Sequence, residues 1–195
     1  MLKEEMFMRD ISLHVMDIVQ NSIAAGATQI TVSIRAELEK DLLTVKIIDN
    51  GSGMDDAMTT RVMDPFVTSR ITRKVGLGIP LFKFSAESAG GSLNLSSQKD
   101  KGTTIEACYK INHVDRIPLG SISETIMGLI VSNSEIAYRL ELYGNGKEFS
   151  FDSESIREKL GEVPIYNYEV MVWIKDFIEE GIKFTFGGVL NEIVG

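Results

Sequence analysis

The chain has 195 residues, of which 44% are hydrophobic, and it carries a formal net charge of −8. The length and hydrophobic content suffice for a buried core, whereas the negative charge argues against a general nucleic-acid surface. The single cysteine excludes an internal disulfide, and we expect Cys108 to be a buried structural thiol in a strand. No apolar run reaches the ~18 residues that cross a bilayer, and no signal-peptide core is present, so we expect a cytoplasmic protein with no membrane partner.

The first predicted element is an amphipathic helix over residues 10–25. At about 100° per residue, four of its polar side chains share one stripe, namely Asp10, His14, Asp17 and Asn21. A stripe of this kind is ordinarily a solvated face. Here apolar residues cover most of the remaining surface, so we expect the helix to be buried and the stripe to line a site. An Asn oxygen can ligate Mg²⁺, and a carboxylate one turn away can orient or deprotonate a water.

Two predicted strands follow, over residues 29–36 and 42–48, and the second leads into the turn Asp49-Asn50-Gly51-Ser52-Gly53. Taken alone, such a turn is usually only a tight turn that needs glycine. An Asp fixed at a strand end can also accept a hydrogen bond from the exocyclic amine of adenine. The two glycines would then let a flat base lie against bare backbone.

A second glycine pair, Gly76 and Gly78, precedes a predicted helix with Pro80 in its first turn. The free amides at a helix start, and the positive end of its dipole, favour an anion such as phosphate. A lone glycine pair is more often a turn than an anion site. With a short helix over 55–63 and strands over 92–97 and 103–110, this part predicts an α+β fold. We expect an α/β sandwich, with a mixed, largely antiparallel sheet covered by helices on one face.

The residues after 111 predict a connector over 112–119 and a helix over 121–132. Strands over 136–142 and 148–151 follow, joined by a hairpin turn at Gly144-Asn145-Gly146, and then helices over 153–160 and 167–182. We therefore predict one domain over residues 1–111 and a small α+β domain with its own core over residues 112–195. A role of this second part in partner binding or dimerisation is left open.

Residues 10–110 resemble the GHKL (Bergerat-fold) ATP-binding superfamily, which includes gyrase-type topoisomerases, large heat-shock chaperones, histidine kinases and mismatch-repair ATPases. DIVQNSIAAGAT, residues 17–28, is similar to the N box, and Asp49–Gly53 to the first glycine box. DPFVTSR, residues 64–70, is similar to the kinase-type F box that begins the ATP lid. Residues 76–79 are similar to the second glycine box, and residues 102–104 to the last turn before the closing strand. The resemblance implies a Bergerat-type sandwich with ATP and Mg²⁺ as its cofactors.

The resemblance also implies a role for individual residues. Asp17 stands where the family usually has a catalytic Glu, and because Asp is one methylene shorter, hydrolysis is the activity most affected. Asn21 would ligate Mg²⁺. Basic residues in the lid would approach the phosphates. The implied ATP-binding residues are Asn21, Asp49, Gly51, Gly53, Met54, Phe66, Thr68, Ser69, Arg70, Lys74, Gly76, Leu77, Gly78 and Thr103.

Two classes of function fit this pattern. One is a stand-alone, histidine-kinase-like phosphotransferase that modifies a protein partner, which the F box and the second glycine box favour. The alternative is an ATP-gated protein-binding module with slow or no hydrolysis, which Asp17 and the expected lack of a phosphoacceptor domain favour. A mismatch-repair-like role on DNA comes third, because only the N box supports it and the charge opposes it. A homodimer is compatible with each of them.

Overall fold

The computed structural model describes residues 9–63, 77–188 and 190. Within them, the helices and strands follow one another along the chain in the order predicted from the sequence. The helices are α1 Ile11–Ala24, α2 Asp56–Val62, α3 Gly78–Ser88, α4 Ile122–Ser132, α5 Ser153–Leu160 and α6 Tyr168–Phe186. The strands are β1 Gln29–Glu37, β2 Leu42–Asp49, β3 Ser92–Gln98, β4 Gly102–Lys110, β5 Ala137–Gly144 and β6 Lys147–Asp152.

Local capping explains where most helices begin. The Asp10 side chain accepts from the Leu13 amide at the start of α1, and Asp55 accepts from the Met58 amide at the start of α2. Asp152 and Asn167 cap α5 and α6 in the same way. The largest error in the predicted bounds is at the end of α6. This helix continues to Phe186 and stops at Gly187, which has the left-handed conformation (φ 65°) that glycine adopts without strain.

All six strands form one sheet in the order β3-β4-β2-β1-β5-β6. Neighbouring strands are antiparallel except β1 and β5, which are parallel, so the prediction of a mixed, largely antiparallel sheet is confirmed. The register places Asp49, at the end of β2, beside Thr103 of β4. This pairing brings two elements of the predicted nucleotide site together.

The two faces of the sheet differ in burial. Along β1, Ile30, Val32, Ile34 and Ala36 are buried under the helices, and the residues between them are more exposed. This alternation confirms that helices cover one face of the sheet. Cys108 lies on the other face, opposite Thr44, and is only half-buried. Its predicted burial is therefore wrong, because the period of β4 points it away from the helices.

The part after residue 111 extends the same sheet. β5 pairs with β1 in parallel register from Gln29 and Ala137 onward, and the buried side chains of β5, α4 and α6 join those of α1, β1 and β2 in one cluster. The predicted separate core of this part is wrong, because pairing with β1 places its strands over the same helix layer. Whether residues 1–111 and 112–195 fold as separate units remains a prediction.

The connector between β4 and α4 fixes the beginning of α1. The amides of Ile11 and Ser12 donate to the carbonyls of Pro118 and Leu119. Arg116 is buried beside them, and its guanidinium donates to the carbonyls of Ile111 and Leu190. The helix that carries Asp17 and Asn21 is thereby held in place by residues far along the chain.

Candidate functional site

A cavity of about 300 Å³ lies among α1, the turn after β2, α2 and the start of α3. It is mostly apolar, with a few polar groups converging on it, which is typical of small-molecule sites. The lining residues are Ile18, Asn21, Ser22, Ala24, Ala25, Asp49, Ser52, Gly53, Met54, Met58, Val62, Ile79, Thr103 and Ile105. The cavity thus brings together five of the predicted ATP-binding residues: Asn21, Asp49, Gly53, Met54 and Thr103.

Asp49 is the buried acid of this cavity, with 9% of its surface exposed. Its Oδ2 accepts from the Ser22 hydroxyl at 2.7 Å, and its Oδ1 accepts from the amides of Gly51 at 2.9 Å and Thr103 at 3.2 Å. A carboxylate has about four acceptor positions, so these donors fix its orientation and leave capacity for about one more. Ser22 was not singled out from the sequence, although it directly follows Asn21 in the N box.

The glycines of the turn allow close backbone packing. A Cβ on Gly53, whose φ is +61°, would lie 2.0 Å from the carbonyl oxygen of Gln98 in the β3–β4 hairpin. A Cβ on Gly51 would lie 3.0 Å from the carbonyl oxygen of Ala25 at the end of α1. At both glycines, protein therefore fills the space that a side chain would need, and close packing of the turn is one reason for them. Gly53 also lines the cavity, and its contact with a base stays a prediction.

Asn50 and Ser97 hold the same turn, and sequence reasoning missed both of these roles. The Asn50 side-chain oxygen accepts from the amides of Thr28 at 2.8 Å and Gln29 at 2.9 Å, which ties the turn to the start of β1. The Ser97 hydroxyl accepts from the Met54 amide at 2.8 Å. An Asn inside a turn is a weak signal for such a clamp, and Ser97 gave no local signal at all.

Asp17 is a residue of α1 whose carboxylate lies against the start of α3, and it does not line the cavity. Its Oδ2 is buried and accepts no hydrogen bond from the residues that the structure describes. A Cβ on Gly78 would lie only 1.5 Å from this oxygen, so the carboxylate rests on the backbone of the first residue of α3. Burial raises the pKa of the Asp17 carboxyl above its ordinary value. One turn further along α1, Asn21 is exposed and faces the cavity.

The four polar residues of the α1 stripe do not share one role, because Asp10 and His14 are structural whereas Asp17 and Asn21 lie near the cavity. Asp10 is the N-cap of the helix. His14 is buried and stacks on Phe82, with ring centroids 4.9 Å apart, and burial lowers its pKa to about 4. The expectation that the whole stripe lines one site is wrong, because the first turn of α1 packs against α3 and the connector.

Several predicted contacts fall in or beside the lid. Leu77 is exposed and precedes the first residue of α3. The remaining predicted contacts lie outside the described residues, namely Phe66, Thr68, Ser69, Arg70, Lys74 and Gly76.

The fold is a mixed sheet with helices on one face. Its cavity has a fixed acid at the end of a strand and the start of a helix beside it, which is typical of a nucleotide-binding α+β domain. Residues 9–113 match the family of histidine kinase-, DNA gyrase B- and HSP90-like ATPases. This match covers more than half of the chain, and the chain belongs to that family. It is a GHKL ATP-binding domain, as the sequence motifs predicted.

Relatives from two branches of the family are similar to parts of the chain. The DNA mismatch repair protein MutL of Chlorobaculum tepidum is 25% identical over 91% of this chain and 34% of its own length. Sporulation kinase D of Bacillus subtilis is 34% identical over 40% of this chain and 15% of its own length. The chain thus spans about a third or less of the length of these relatives.

A solved structure supports the fold. The N-terminal domain of a DNA repair protein superposes with a TM-score of 0.52 at 18% identity, over 73% of this chain and 52% of the other. At this identity the likeness shows the fold alone. In the described part of the chain, none of the helices combines the length and the apolar character that a membrane span requires.

Proposed function

We propose that this chain is an ATP-gated module that binds Mg-ATP and hydrolyses it slowly, with Asp17 as the group that activates water. The observation that carries this proposal is the buried Oδ2 of Asp17, which has no hydrogen-bond donor among the described residues and lies beside the start of α3. Buried polar atoms normally have a partner, and groups whose pKa is shifted, as burial shifts that of Asp17, cluster at functional sites.

The adenine of ATP would bind at Asp49. The three protein donors on this carboxylate come from Ser22, Gly51 and Thr103, and a base amine would supply the next one. Ile18, Met54 and Ile79 supply apolar surface around it for a flat ring. Because Asp49 can only accept when it is ionised, it would select a base that presents an amine over one that presents a carbonyl.

The phosphates would bind at the first turn of α3. The amides there are not used within the helix, and the helix dipole adds positive potential. Asn21 of α1 is exposed and lines the cavity, and its side chain offers one amide oxygen. One such oxygen suits Mg²⁺, which takes most of its ligands from phosphate and water. These residues fit Mg²⁺, which would neutralise phosphate charge when bound.

Asp17 would accept a proton from the attacking water. Its pKa is raised by burial, which makes the carboxylate a stronger proton acceptor. Negative phosphate placed nearby would raise this pKa further. The short Asp side chain keeps the carboxylate against Gly78, and we therefore expect slow turnover.

A second candidate is phosphate transfer to a protein partner, which the similarity to a sporulation kinase favours. A protein partner is also favoured by the aromatic surface at the start of α6, where Tyr166, Tyr168 and Trp173 are exposed. The partner of such a surface is a second protein or a second copy of the chain.

The two candidates differ in where the terminal phosphate goes. The test incubates the protein with ATP labelled at the γ-phosphate, alone and with a lysate, and compares wild type with Asp17→Asn. Slow release of labelled inorganic phosphate by wild type only supports the first candidate. Transfer of label to a protein in the lysate supports the second candidate, provided that wild type gives this labelling and Asp17→Asn does not. Calorimetry that detects no Mg-ATP binding contradicts both.

A further inference from the structure

Gly78 is a glycine that the backbone geometry does not require. It is the first residue of α3, and its φ lies outside the positive range in which glycine is favoured over other residues. Glycine also lowers helix stability relative to alanine. The glycines at 53 and 102 differ from it, because both have positive φ and both meet backbone atoms. The explanation for Gly78 must therefore lie in the space beside it.

That space is filled by Asp17. A Cβ on Gly78 would lie 1.5 Å from Oδ2, 2.8 Å from Cγ and 3.6 Å from Cβ of Asp17. The first two distances are impossible contacts, and the third is an ordinary van der Waals contact. Any side chain at position 78 would therefore displace the carboxylate and leave the rest of Asp17 undisturbed.

We propose that Gly78 is a positioning residue for Asp17, because its missing side chain creates the seat that holds the carboxylate against the first turn of α3. This inference rests on the proposed role of Asp17 as the group that activates water. A side chain at position 78 would turn the carboxylate toward solvent. The carboxyl group would then lose both its burial and its fixed distance to the phosphate site.

A different explanation is that Gly78 lets phosphate approach the backbone. In that case an alanine at position 78 is harmful whatever residue stands at position 17. If Gly78 acts through Asp17, the alanine is harmful only while Asp17 is present. A double-mutant cycle separates these explanations, because residues in contact give non-additive effects.

The cycle uses wild type, Gly78→Ala, Asp17→Ala and the double variant. Gly78→Ala should lower ATP turnover at least about tenfold, and the double variant should be no slower than Asp17→Ala. Gly78→Ala should raise the thermal midpoint in the Asp17→Ala background, where the added Cβ meets no carboxylate and alanine favours the helix, and should raise it less or lower it in the wild-type background. Equal shifts of the midpoint in both backgrounds overturn the proposal.

Gly128→Ala is the matched control. Gly128 lies within α4, has no positive φ, and its added Cβ would meet only the Met16 Cε at 3.6 Å. This variant should keep turnover and keep or raise the midpoint, as expected for a glycine-to-alanine change within a helix where nothing blocks the added Cβ.

The pKa of the Asp17 carboxyl gives a readout that does not need turnover. Carboxyl carbon NMR of wild type and Gly78→Ala should show a lower Asp17 pKa in the variant, because the displaced group regains water. An unchanged pKa overturns the inference. If wild type shows no turnover, the proposed hydrolysis fails, whereas the midpoint cycle and the NMR titration still decide whether Gly78 positions Asp17.

Discussion

Asp49 lines the cavity and Asp17 packs against the start of α3, and the protein treats these two aspartates in opposite ways. Asp49, at the end of β2, receives three hydrogen bonds and is fixed as an acceptor. Asp17, on α1, keeps a buried oxygen without a donor among the described residues. A carboxylate that is held by three donors and keeps about one free acceptor position suits recognition, because its geometry is set before the ligand arrives. A buried and unsatisfied carboxylate is costly to keep, and it is suited to bind and take a proton.

The largest effect expected from this contrast is on turnover. Asp17→Asn removes the proton acceptor and keeps the size of the side chain, so hydrolysis should fall by about 100-fold or more, within the usual range for a general base. ATP affinity should stay near that of wild type, since Asp17 does not line the cavity. Release of labelled phosphate and calorimetry measure the two quantities. Equal turnover in both proteins would show that Asp17 is not the base.

The next effect concerns affinity at the other aspartate. Asp49→Asn replaces an acceptor oxygen with an NH₂ group that faces donors from Ser22, Gly51 and Thr103. A mismatch of this kind costs about 1–3 kcal/mol, so ATP should bind roughly 5- to 150-fold more weakly. Calorimetry with ATP and GTP tests this, because GTP, which lacks an amine at the corresponding position, should bind wild type poorly. Equal affinity of wild type for both nucleotides would refute the role of Asp49.

The recognition end of the site could be predicted from the sequence because its signals are local. β2, Asp49 and the glycines that follow are consecutive in the chain, and alternation with turn residues defines them. The hydrogen bond from Ser22 depends instead on how α1 docks on the sheet. The seat of Asp17 on Gly78 depends on the contact of two helices that are far apart in sequence.

The way in which the C-terminal part joins the sheet could not be predicted from the sequence, for a related reason. Each helix and strand after residue 111 was predicted near its observed place, whereas the parallel pairing of β5 with β1 was not. Parallel neighbours are joined by long connections, so no turn marks the pairing in the sequence. His14 is a similar case, because burial against Phe82 takes it out of the polar stripe that the helical period predicts.

A smaller effect is expected from metal binding. Asn21→Ala should weaken binding of Mg-ATP by about tenfold and leave binding of metal-free ATP nearly unchanged, because one amide oxygen is a minor part of the ligand set of Mg²⁺. Calorimetry with and without Mg²⁺ gives both affinities. Gln20→Ala is a suitable control, since Gln20 is also exposed on α1 and does not line the cavity. Identical losses with and without metal would argue that Asn21 contacts the nucleotide directly.

The smallest effect is a pH dependence of stability that belongs to Asp17 alone. Burial raises the pKa of Asp17 in the folded protein above the ordinary value of 3.8, so the folded state holds this proton more tightly than the unfolded state does. The contribution of Asp17 to stability is therefore most favourable below pH 3.8, and it is lost as the pH rises through the folded pKa. Asp17→Asn removes this titration. Its advantage in free energy of unfolding over wild type should grow from acid toward neutral pH and then stay constant. Urea unfolding of both proteins at a series of pH values measures that difference, and other acidic groups largely cancel in it. A difference that is flat with pH, or that shrinks toward neutral pH, would show that burial does not penalise the Asp17 carboxylate.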